Sequence, residues 1–150
     1  LPQVEAAKGV VATETLGGTF QLQVRSGEHT LIVDEPVSVG GLGTGLSPYE
    51  LVSAGLAACT VMTMRLYANR KGFPLERAST TVQHEKVRDM MPPDRFTRTI
   101  VLDGPLSDDQ RARILAIADR CPVDLSLIRG SDVQTELSSS SQTADSASLP

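Results

Sequence analysis

The sequence predicts an α+β fold, and three observations carry that reading. Short alternating or apolar runs, "GVVATET" from Gly9, "FQLQVR" from Phe20 and "TLIVD" from Thr30, are separated by "LGG" and "SGE", the pattern of three short antiparallel strands in a meander. An apolar stretch from Leu46 to Arg70 then predicts a long helix. Two further strands, Ala78–Val87 and Phe96–Leu102, flank the Pro-rich turn "RDMMPPD" and lead into a second helix.

Each element has a local cause. The glycine-rich segment Gly41, Gly43 and Gly45 precedes the long helix, but no Lys then Ser/Thr follows its last glycine and no second parallel strand ends in an acidic residue, so it predicts a flexible lead-in rather than a phosphate cradle. Ser47-Pro48-Tyr49-Glu50 has the order of a capping box, with Ser at the cap, Pro in the first helical position and Glu50 reaching back. Gly72 and Pro74 stop the helix. Ser107 opens the second helix, with Asp108 and Asp109 in its first turn, and Ile114, Leu115 and Ile117 on one side to about Arg120. Asp132–Leu137 is expected to form a last strand.

The 150 residues suffice for one domain, placed at residues 1–137, and a Ser-rich tail, 138–150, with too few large apolar residues to offset its ordering entropy. Aromatics make up 3 % and Trp is absent, so the core falls to Val, Leu, Ile, Ala and Met, which favours extra burial through a partner subunit. A net charge of −4 offers no basic field for nucleic acid or anionic membranes. The uncharged stretch Leu51–Met64, about 14 residues, falls short of the roughly 20 a bilayer needs, so no membrane span is expected. The N-terminus lacks the order of a signal peptide, and a cytoplasmic protein is expected.

Chemistry concentrates in two cysteines. Cys59 and Cys121 lie 62 positions apart, too few for a zinc site and not in a C-x-x-C pair. Cys59 sits in a helix segment apolar all round, the mark of a buried helix, with Val52, Gly55, Leu56, Met62 and Thr63 on its side. Small Gly55 leaves room for approach to the thiol. Cys121 follows the second helix in "ADRCPVDLSL", beside Arg120 and before Pro122, a setting in which a thiol can resolve a sulfenic acid. Either cysteine could instead be a small apolar packing residue.

The stretches "DEPVSVGGLGTGLSPYELVSAGLAACTVMTMRLYANRKGFPLE" and "LSDDQRARILAIADRCPVDLSL" together resemble the OsmC/Ohr family, the osmotically inducible and organic-hydroperoxide-resistance proteins, and their OsmC-like branch in particular. The resemblance spans about Val10–Leu137. It implies an OsmC-like fold, with a long central helix between antiparallel sheets in an intertwined homodimer, and a thiol peroxidase that needs no bound cofactor. Cys59 matches the peroxidatic cysteine and Cys121 the resolving one. The family usually has Glu where this chain has Tyr49, Arg where it has Thr19 and, in this branch, His where it has Asp124. Glu50, nine residues before Cys59, and Arg25, in the same meander as Thr19, are therefore the nearest candidates for the acidic and cationic roles, with Arg98 and Arg120 behind Arg25.

The resulting expectation is reduction of organic hydroperoxides, and of hydrogen peroxide too, through a Cys59 sulfenate and a Cys59–Cys121 disulfide. An external thiol reductant, a dithiol such as a lipoyl protein, would reopen that bond. Two alternatives stay open: a redox sensor that uses the same cysteines, and a non-catalytic dimer that binds an apolar small molecule.

Overall fold

The computed structural model describes residues 9–138, in the order β1 (Val11–Glu14), β2 (Leu22–Ser26), β3 (His29–Val33), α1 (Pro48–Lys71), β4 (Arg77–Lys86), β5 (Asp94–Asp103), α2 (Asp108–Ala118) and α3 (Pro122–Arg129). These elements belong to two compact units, one made of the described residues up to Pro48 together with 132–138, the other Tyr49–Ser131. Apart from Ser138, the expected tail lies outside the described residues.

In the first unit, β1, β2 and β3 form an antiparallel meander, with Val11 opposite Arg25 and Leu22 opposite Val33. A single 3₁₀ turn, Val37–Val39, which the sequence did not announce, follows β3. The glycine segment folds over buried Asp34. A Cβ at Gly41 would run into the Glu35 carbonyl and one at Gly45 into the Ile32 carbonyl, so these glycines permit close backbone approach. The amides of Leu42 and Thr44 both donate to Asp34 Oδ2 at 3.2 Å. An internal carboxylate thus takes the donors a bound phosphate would need.

In the second unit, β4 and β5 pair antiparallel from Arg77 opposite Asp103 to Lys86 opposite Asp94. Strict alternation along β5 turns Phe96, Arg98, Ile100 and Leu102 to the covered face. Helix α1 contributes a stripe at every fourth residue, Leu56, Thr60, Met64 and Ala68, all buried. Met64, Ala68, Leu75, Ile114 and Ala118 make the core, joined by Tyr67, Phe73, Ile100 and Leu102. Full burial of a side chain such as Met64 contributes about 1.5–3 kcal/mol. Gly72, at φ 68°, ends α1 as its sequence position predicts.

The single chain does not cover α1 on all sides: Val52, Met62 and Leu66 stay exposed, since one sheet face and one helix bury one stripe. Two expectations need correction. Helix α1 is not too short for a bilayer by length and composition alone. It spans 24 residues, with a mean hydropathy of 1.4 across its most apolar 18, because a single Arg65 does not end the apolar run. Finally, Asp132–Leu137 is not a strand: Val133 and Leu137 find nothing to pack against and are 84 % and 98 % exposed. Upstream of that segment the chain forms α3, which the sequence did not announce, with Pro122 in the first helical position and Asp124 in the first turn.

Candidate functional site

The second unit brings the two thiols together. Cys59 is half-buried on α1, one residue before buried Thr60, and Cys121 is fully buried at the N-cap of α3. Cys121 Sγ accepts the amide N–H of Asp124 at 3.4 Å, which takes one of the donors left free at a helix start. Burial pushes the Cys59 thiol above its ordinary value. The backbone N–H of Val123 opposes that push, contact with Cys121 adds to it, and the Thr63 hydroxyl opposes it weakly. Cys59 thus faces both Cys121 and the first turn of α3, whose Val123 amide is the stronger of the two groups that favour a thiolate there.

The buried cation beside this pair is Arg98, with a side chain only 15 % exposed. Nη1 donates to Thr60 Oγ1 at 3.2 Å and to the Ala118 carbonyl at 2.9 Å. Nη2 donates to Asp119 Oδ1 and Asp124 Oδ1, both at 3.1 Å. Thr60 in turn donates to the Leu56 carbonyl at 2.7 Å. Sequence reasoning ranked Arg98 behind Arg25, although its inward parity with Phe96, Ile100 and Leu102 was a legible signal. Arg25 lies in the first unit on β2, opposite Val11 and Thr30, and Cys59 lies in the second. Glu50 occupies the first turn of α1, where a carboxylate suits the helix dipole. Arg120 is exposed beyond α2.

A cleft of about 870 Å³ opens alongside, lined by apolar Val52, Leu56, Phe96 and Leu127 and by charged Asp94, Arg98, Asp124 and Arg129. It offers room for an apolar molecule one to two helical turns from Cys59.

The fold is shared with solved structures. An organic hydroperoxide resistance protein OsmC from Legionella pneumophila is 25 % identical, with a TM-score of 0.60 over 81 % of this chain and 90 % of that one. An OsmC-like protein from Mycoplasma pneumoniae is 18 % identical, with a TM-score of 0.67 over 83 % and 89 %. An organic hydroperoxide resistance protein from Elizabethkingia anophelis is 17 % identical, with a TM-score of 0.64 over 84 % and 90 %. No curated protein matches the sequence. The family described as OsmC-like protein matches residues 41–136, which hold the glycine loop, α1 with Cys59, the β4–β5 hairpin and the Cys121 cap. With both cysteines and most of the chain inside that match, the protein belongs to the OsmC-like family.

Proposed function

We propose that the chain is a cysteine peroxidase that reduces organic hydroperoxides. The observation that carries this reading is the meeting of Cys59 and Cys121, 62 residues apart in sequence, at the first turn of α3. The Cys59 thiolate attacks the distal oxygen of the hydroperoxide: an S–O bond forms, the O–O bond breaks, and the alkoxide leaves and takes a proton to become an alcohol. Cys121 then attacks the sulfenic sulfur. The disulfide forms and the hydroxyl departs as water with the Cys121 proton, after which an external dithiol, such as a lipoyl protein, reduces the bond.

The substrate class is supported by the Legionella pneumophila protein's name and by the apolar cleft beside α1. The electrons come from thiols, so the reaction calls for no bound cofactor. The apolar residues that α1 leaves exposed support a homodimer, and chemistry that depends on reduced thiols suits the cytoplasm. A second reading is a redox sensor in which the disulfide forms but turns over slowly; the full burial of Cys121, which restricts the access of an external dithiol to the bond, favours it.

Turnover of cumene hydroperoxide with a panel of dithiols, dihydrolipoamide included, separates the two readings. Mass spectrometry after one equivalent should show the loss of two hydrogens in the wild type and added oxygen at Cys59 in Cys121→Ser. Cys59→Ser should consume no peroxide, and wild-type consumption by that variant would overturn the proposal.

A further inference from the structure

Arg98 holds three elements at once: Thr60 on α1, the Ala118 carbonyl at the end of α2, and Asp124 in the first turn of α3. Two of these contacts fall just after the thiols in sequence. Thr60 follows Cys59 directly, and Asp124 is the residue whose amide N–H reaches Cys121 Sγ. A cation bonded to two carboxylates has little charge to spare for a thiolate. A planar guanidinium can nevertheless hold four acceptors at fixed angles, which an ammonium group cannot. The second carboxylate oxygen of Asp124, Oδ2, is buried and finds no hydrogen-bond partner among the described residues. Such a group is costly in a position that served packing alone.

We propose that the Arg98–Asp124 pair is a positioning device that fixes the first turn of α3 against α1, so that Cys59 Sγ and Cys121 Sγ stay within closing distance of a disulfide. The proposal rests on the two-cysteine reading above, but it does not depend on peroxide as the oxidant. With glutathione disulfide, the two protein thiols give up two electrons and two protons, one S–S bond forms, and the oxidant becomes two glutathione thiols.

The test is the effective concentration of the two thiols, measured with the full chain equilibrated in glutathione redox buffers. Arg98→Lys keeps the charge and loses the fork, and Asp124→Asn keeps the volume and weakens the pair. Each should lower the effective concentration at least about tenfold, as a small misplacement of reacting groups does. Ile114→Val, which thins the core away from α3, should lower the melting temperature and leave this constant unchanged, so general destabilisation is told apart from misplacement. Asp124→Asn serves alone if Arg98→Lys does not fold. Wild-type constants in the folded variants would overturn the positioning role and leave the two-cysteine reading intact. A wild type that forms no Cys59–Cys121 bond at any buffer ratio would overturn both.

Discussion

The ring of Tyr49 lies flat on the ring of His84, with centroids 4.1 Å apart and planes 6° from parallel. His84 Nε2 is 2.8 Å from Asp94 Oδ1, and Phe96, the register partner of His84, tilts against the same imidazole at 4.7 Å. The first turn of α1 is thereby fastened to the β4–β5 hairpin. Tyr49→Ala should lower unfolding free energy in denaturant by about 0.5–1.5 kcal/mol beyond the lost area, the usual worth of an aromatic pair. Tyr49→Phe, which keeps the ring, should stay near wild type. Equal stability of all three proteins would show that the stack holds nothing.

Because burial holds the Cys59 thiol above its ordinary value of about 8.5, its alkylation by iodoacetamide should accelerate steadily through and past that pH. The folded state keeps this proton more tightly than the unfolded one. Stability from this group is therefore fully present below about pH 8.5 and is lost as pH rises through the higher folded value. Cys59→Ser should flatten that alkaline decline in melting temperature. A Cys59 that alkylates at its plateau rate below pH 7 would contradict the burial account.

Asp34 shows the opposite sign. The Thr44 hydroxyl, at 2.6 Å, is the main cause that holds its carboxyl below the ordinary range; burial opposes it, and the Thr44, Glu35 and Leu42 amides assist. Its stabilising contribution is present above about pH 4 and disappears as pH falls through the lower folded value. Asp34→Asn should melt earlier at neutral pH and show a shallower loss of stability under acid. Matching acid profiles for the two proteins would mean that the glycine segment does not depend on this carboxylate.

The long helix was legible because its signals are local: Ser47-Pro48 marks the start and Gly72 the stop, within a residue or two of the observed ends. Helix α3 was not legible, because its N-cap is Cys121, a residue outside the Ser, Thr, Asp and Asn that announce a helix start, and Cys-Pro read as a turn. The site was half legible. Both thiols stood out as the only cysteines, and the family resemblance suggested the roles proposed for them. The partners of Arg98 lie 20 to 38 positions away, so only its parity on β5 pointed inward, while the contacts that occupy its guanidinium emerge from tertiary folding.

Two other arginines grip the same end of the β4–β5 hairpin. Arg65 of α1 donates to the carbonyls of Leu75 and Glu76 at 2.6 and 3.1 Å, and Arg111 of α2 donates to those of Leu102 and Gly104 at 2.6 and 3.0 Å. In a free hairpin, the two strand ends are where fraying begins. Here those ends are riveted to two helices, and the loose end is the loop between Lys86 and Asp94. Slow amide exchange should therefore run in the reverse of the usual order along both strands, longest-lived beside Arg77 and Asp103 and shortest beside the turn.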